Sequence, residues 1–212
     1  MSAKRHIGEI SNADRQLGPS LHNLPASLRL VILDRDGVLN EPRPDDVKTP
    51  EELVLLPGAV EAVARLHRAG IAVALCTNQD AVARGVMTAA MVDRVHDRLC
   101  EELNRGGGRL EAIYFCPDLP NCGSAERKPA PGMLLKALER LQVAPHDALM
   151  IGDELADLEA AAQASCHRIL VRTGEGAATE ARGLPDRVRP VWVFDDIDRA
   201  VTALVDASVT AE

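Results

Sequence analysis

From Leu28 onward the chain alternates short apolar runs with longer stretches in which apolar residues recur at helical spacing. This alternation predicts strand–helix units wound on a parallel sheet. The runs LRLVILD (28–34), IAVALCTN (71–78), LEAIYF (110–115), ALMIGDE (148–154) and HRILVRTG (167–174) read as five strands. Between the first two, Pro57-Gly58 opens a helix carrying Val60, Val63, Ala64 and His67, and Gly70 closes it. Thr88 reads as the N-cap of a second helix with Met91, Val92, Val95, Leu99 and Leu103 on one face, ended by Gly106-Gly107-Gly108. An irregular segment from Cys116 to Pro131 precedes a helix over MLLKALERL (133–141). The Ala-rich DLEAAAQA (157–164) is a further helix, and WVFDDIDRAVTALV (192–205) reads as a last short strand and helix. The expected fold is α/β, a Rossmann-like parallel sheet with helices on both faces.

Composition narrows what such a sheet can serve. Of 212 residues 46% are hydrophobic and only 2% aromatic, so the core is built of Ala, Val, Leu and Ile, and a base-stacking platform is excluded. A chain of this length buries on the order of 70% of its unfolded surface and needs no disulfide or structural metal. The formal charge of −8 argues against nonspecific binding to nucleic acid or anionic membranes, so an anionic substrate requires a local positive site. No run approaches the ~20 apolar residues of a membrane span. Residues 1–27 lack an apolar h-region and read as a weakly ordered extension, followed by one domain over 28–207 and a tail over 208–212. Five cysteines without an export signal are expected as free thiols in the cytoplasm. The expected protein is a monomer acting on a small molecule, with neither nucleic acid nor membrane as partner.

The chemistry gathers at strand ends, where ligands bind in open α/β sheets. Asp34-Arg35-Asp36-Gly37 follows the first strand, and taken alone it is equally an ordinary strand-to-turn exit. A carboxylate there also suits a nucleophile or metal ligand, with a second carboxylate two residues on as acid or base. Thr77-Asn78 ends the second strand, Lys128 follows the third in a loop before a helix, and Asp153 with Asp157 follows the fourth. Clustered hard oxygen ligands of this kind suit Mg²⁺.

In this order DRDGVLN, TNQ, RKP followed by PG, and GDELAD resemble the four motifs of the haloacid dehalogenase-like phosphohydrolases. The run from about Leu30 to Thr173 is most similar to the subfamily of heptose-bisphosphate and histidinol-phosphate phosphatases. The resemblance implies a phosphomonoesterase forming an aspartyl-phosphate on Asp34, with Asp36 as general acid and then base. Thr77 and Lys128 complete the implied catalytic set, and Asn78, Arg127 and Arg84 are the implied substrate contacts. Asp34, Asp36 (through its carbonyl), Asp153 and Asp157 are the implied Mg²⁺ site. The implied substrate is a small phosphorylated metabolite, a heptose-type sugar bisphosphate first, with histidinol phosphate or another phosphomonoester as alternative. A non-catalytic phosphate-binding module is the non-enzyme alternative.

The subfamily's zinc loop has no full counterpart in CPDLPNCGSAERKP: Cys116, Asp118 and Cys122 offer three ligands where structural zinc takes four, so zinc is not expected. Asp80 and Glu154 add negative charge where relatives often carry Ser and Lys. Residues 41–58 resemble a small flap rather than a cap domain, which implies an open site with a minimal cap. His67 and His96 fall on helices and read as solvated or packed rather than ligating, and Trp192 as a core or edge anchor.

Overall fold

The computed structural model describes residues 28–209, so the expected extension over 1–27 and the last three residues of the expected tail lie outside the described residues. The elements run β1 (Leu30–Leu33), α1 (Ala59–Arg68), β2 (Ala72–Asn78), α2 (Ala89–Arg105), β3 (Ala112–Cys116), α3 (Gly132–Leu141), β4 (Ala148–Gly152), α4 (Leu155–Gln163), β5 (His167–Val171), α5 (Gly176–Ala181), β6 (Trp192–Phe194) and α6 (Ile197–Val209). All strand pairs are parallel, in the order β3-β2-β1-β4-β5-β6. The chain winds outward from β1 to β3, then crosses back to lay β4 on the other side of β1. That reversal opens a crevice at the carboxyl ends of β1, β2 and β4.

β1 is buried on both faces, which explains its unbroken apolar run. Alternation sends Val31 and Leu33 into a layer with α1, α2 and α6, and Leu30 and Ile32 into a layer with α3 and α4. On the second side Ala160 and Ala161 of α4 are fully buried, their small side chains letting the helix lie close to the sheet. Trp192, on the edge strand β6, is 4% exposed and packs into the first layer. The Thr88 hydroxyl accepts the Met91 N–H at 3.2 Å and caps α2 as expected. Gly70 lies at φ +73° just beyond α1, the left-handed position that closes a helix.

The differences from the sequence reading lie at the edges. β5 stops at Val171, where its pairing with the three-residue β6 ends, and Thr173 just beyond donates its hydroxyl to the Gly37 carbonyl at 2.6 Å. The short helix α5 has no apolar period to announce it. α6 continues to Val209, two residues beyond the expected end of the domain at 207. Residues 41–57 return on themselves through Glu41 N–H to Val54 O and Leu56 N–H to Leu39 O, forming a small flap.

Candidate active site

At the end of β1 the Asp34 carboxylate takes two cationic or donor partners on one oxygen. Oδ1 accepts the Arg35 N–H at 2.7 Å and faces Lys128 Nζ at 2.9 Å. Lys128 lies 2.7 Å from Asp157 Oδ1 as well, and all three side chains are largely withdrawn from solvent. Burial works against the charge on Lys128, but the two carboxylates outweigh it and hold the ammonium well above its usual range. The same burial, partly offset by Lys128, pushes the Asp34 carboxyl upward.

Lys128 is fixed through its backbone. Its N–H donates to Asn78 Oδ1 and its carbonyl accepts from Asn78 Nδ2, both at 3.0 Å. Asn78 lines the cavity, yet its amide is committed to Lys128. Thr77, 1% exposed at the end of β2, accepts the Gln79 Nε2–H at 3.0 Å, so its own hydroxyl hydrogen is free to donate.

Asp36 stands on a separate set of donors. Arg35 Nη2 approaches both its oxygens, at 3.2 and 3.0 Å, while Asn40 Nδ2 donates at 2.9 Å and Gln79 Nε2 at 2.8 Å. Burial raises this carboxyl, but the Arg35 charge and the Asn40 and Gln79 amides together hold it below the usual range. Arg35 itself is completely buried.

Asp34, Asp153 and Asp157 each bring a carboxylate oxygen into a group within 4.8 Å of one another. Asp157 Oδ2 accepts the Glu154 N–H at 3.0 Å, at the start of α4. Asp153 Oδ2 accepts the Glu175 N–H at 2.8 Å, and its buried Oδ1 has no hydrogen-bond partner among the described residues. Burial and the charges of Asp157 and Asp34 push the Asp153 carboxyl upward. A buried cluster of hard oxygens with an uncommitted lone pair fits a divalent cation such as Mg²⁺, which removes that repulsion. Space for Asp153 comes from two glycines in the left-handed region. A Cβ on Gly37 (φ +78°) would lie 2.2 Å from Asp153 Oδ2, and one on Gly174 (φ +57°) 2.1 Å from it.

Asp34, Asp36 and Asp153 line a cavity of about 250 Å³ with Thr77, Asn78, Arg127, Lys128 and Glu154. Arg43 from the flap, Gln79 and Glu175 join the lining and were not singled out in the sequence. Arg127 is held by Asp80 Oδ2 at 2.9 Å and by the Asp118 carbonyl at 2.7 Å. Arg84, expected among the substrate contacts, is instead outside this lining, paired with Asp46 at 2.7 Å and Asp80 at 2.9 Å on the surface. The side chain of Asp36 does not join the aspartate group, which leaves only its carbonyl for the role implied in metal binding.

In the loop before Lys128 the buried Cys116 thiol lies 3.4 Å from Asp118 Oδ2 and 3.6 Å from Ser124 Oγ, while Cys122 is exposed. Among the described residues Cys116, Asp118 and Cys122 do not form a ligand group; the loop is tied by Ser124 and Arg127 instead.

A model of the haloacid dehalogenase-like hydrolases matches residues 42–165. D-glycero-beta-D-manno-heptose-1,7-bisphosphate 7-phosphatase of Bordetella bronchiseptica is 44% identical over 163 residues, which cover 76% of this chain and 91% of that protein. The enzyme of the same name from Pseudomonas aeruginosa is 40% identical over 179 residues, covering 84% of this chain and 99% of its own length. The crystal structure of D,D-heptose 1,7-bisphosphate phosphatase from B. bronchiseptica with magnesium and phosphate superposes with a TM-score of 0.80 at 41% identity, over 84% of this chain and 99% of that one. With the strand order and the aspartate group already in place, likeness of this extent shows that the chain belongs to the haloacid dehalogenase-like hydrolases.

Proposed function

We propose that this protein is a Mg²⁺-dependent phosphatase that removes the 7-phosphate of a D-glycero-D-manno-heptose 1,7-bisphosphate through an aspartyl-phosphate on Asp34. The observation that carries the reading is the division of labour between two carboxylates two residues apart. Asp34 sits against Lys128 and Asp157, and Asp36 against Arg35, Asn40 and Gln79.

The Asp34 carboxylate, oriented through Oδ1 by the Arg35 amide and Lys128, is the nucleophile that attacks phosphorus. Lys128 offsets the charge of nucleophile and phosphoryl group, and the Thr77 hydroxyl donates to a phosphoryl oxygen. Asp36 delivers a proton to the departing sugar oxygen, then takes one from the water that opens the aspartyl-phosphate. Asp34 and Asp153, with the Asp36 carbonyl, would hold Mg²⁺, and Asp157 keeps Lys128 in place. When bound, the ion supplies positive charge to the phosphoryl oxygens. Asn78 acts by anchoring the Lys128 backbone, and Arg127 faces the substrate from the cavity wall.

The names of the relatives support the heptose bisphosphate over histidinol phosphate. The formal charge of −8 favours a small metabolite over nucleic acid, and no helix among the described residues is long and apolar enough to cross a membrane. The reading includes a monomeric, cytoplasmic enzyme whose catalytic domain is residues 28–207. A panel of phosphorylated metabolites tests it. Phosphate release should require Mg²⁺, be highest on the heptose bisphosphate, and vanish in a folded Asp34→Asn variant; full activity in that variant removes the nucleophile assignment. No turnover on any substrate, together with a melting temperature raised by the bisphosphate, would favour a binding module.

A further inference from the structure

Helix α2 lies behind the site and contributes no residue to the cavity lining, yet it carries a buried histidine, 3% exposed, that reaches the catalytic machinery in two steps. His96 Nε2 lies 3.4 Å from Arg35 Nη1, and Arg35 Nη2 contacts both oxygens of Asp36. Gln79 Oε1 accepts from the same Nη2 at 2.9 Å. The guanidinium is therefore gripped at both of its terminal nitrogens, while its buried Nε has no hydrogen-bond partner among the described residues. A planar group held on one nitrogen alone can swing about its stem; a partner on each fixes its plane. The His96 ring packs edge-on against Phe115 with centroids 5.9 Å apart, so it is braced from the sheet. Burial and the Arg35 charge push its pKa down to about 3, which keeps the ring neutral and Nε2 free to accept, with the ring proton on Nδ1.

We propose that His96 is a positioning residue for the Asp36 carboxyl, acting through the Arg35 guanidinium. The inference rests on the reading of Asp36 as general acid. Without His96, Nη1 loses its acceptor in a dry site, the guanidinium plane relaxes, and Asp36 loses the aim with which it delivers a proton to the leaving oxygen.

The experiment measures phosphoenzyme formation by rapid quench on two substrates, the sugar bisphosphate and p-nitrophenyl phosphate. An alkoxide leaving group needs the proton; nitrophenolate departs without it. His96→Phe keeps the ring against Phe115 but offers no acceptor, and His96→Gln restores one. His96→Met repeats the test if the Phe variant does not fold.

In His96→Phe, phosphoenzyme formation from the sugar substrate should fall about tenfold with KM unchanged, and from p-nitrophenyl phosphate less than about twofold, with most of the sugar rate regained in His96→Gln. An equal fall on both substrates, or no fall on the sugar, overturns the proposal. Asp36→Asn run alongside separates the two failures. If that variant shows the leaving-group pattern and His96→Phe does not, only His96 is misassigned. If Asp36→Asn lacks the pattern, the general acid and the positioning role fall together.

Discussion

The Lys128 ammonium lies 2.9 Å from Asp34 Oδ1, with both side chains withdrawn from solvent. Its position is set by Asn78, which holds the backbone of Lys128 from the end of β2, and by Asp157 on α4. One lysine thus ties the carboxyl ends of β1 and β2 to the first turn of α4. In a buried site the loss of such a group leaves uncompensated charge rather than a mere gap.

Lys128→Met is accordingly expected to lose at least about a hundredfold in kcat, because the charge of the phosphoryl transition state is no longer offset. The metal-free variant should be about 3 kcal/mol less stable than wild type, since Asp34 and Asp157 then face each other unpaired. Mg²⁺ should raise its melting temperature by more than it raises that of wild type, as the ion replaces part of the missing charge. Thermal melts with and without Mg²⁺ check this; an equal rise in both proteins would show that Lys128 does not balance the aspartates.

The glycines around Asp153 make a second test. Gly174→Ala places a Cβ 2.1 Å from Asp153 Oδ2 and 2.6 Å from Gly37 Cα at a φ of +57°. The carboxylate must move, so the Mg²⁺ concentration for half-maximal activity should rise about tenfold. Gly107→Ala is the control: its φ is +86° but a Cβ there meets nothing within 4 Å among the described residues. It should cost about 1 kcal/mol of stability and leave the Mg²⁺ titration unchanged.

Two arginines that look alike in sequence should behave differently. Arg84 is 43% exposed and shared between Asp46 and Asp80, so Arg84→Ala should change kcat/KM by less than about twofold. Arg127 is 17% exposed on the cavity wall, and Arg127→Met should raise KM about tenfold or more through loss of a charged contact to the substrate. Steady-state kinetics on the bisphosphate separate them, and a reversed ranking would reassign the substrate contact to Arg84.

His96 makes stability depend on pH. Its folded pKa of about 3 lies below its unfolded value, so acid protonates the unfolded chain first and draws the equilibrium toward it. The stabilisation is complete above the unfolded value of about 6.5 and is lost as pH falls toward 3, at up to about 1.4 kcal/mol per pH unit. In His96→Gln the slope of unfolding free energy against pH between about 4 and 6 should be smaller by about one proton. Urea unfolding across that range measures the slope; identical slopes would place the His96 ring in water.

Much of the fold was legible because apolar periodicity is a local property. The unbroken run of β1 announces a strand buried on both faces, and the Thr88 cap, the Gly70 terminator and the face of α2 read directly from residue order. Asp34, Asp36, Thr77, Lys128 and Asp153, picked out in the sequence by the resemblance of their motifs, come together in the lining of one cavity. α5 and the early end of β5 were not legible: α5 is six residues without an apolar period, and β5 ends where its pairing with the three-residue β6 runs out.

By itself, then, the sequence determined the strand–helix alternation, the reaction class and the chemical groups at the strand ends. Tertiary structure decided which of those groups are committed to one another. Arg35 reads as an ordinary charge between two aspartates, and only its complete burial against Asp36, Gln79 and His96 makes it part of the site. Asn78 and Arg84 read as substrate contacts, and only folding shows the first turned to Lys128 and the second to surface carboxylates. The physical reason is that burial and pairing depend on residues brought together from positions 34 to 175. A charge's energy is set by those neighbours, and residue order alone does not contain them.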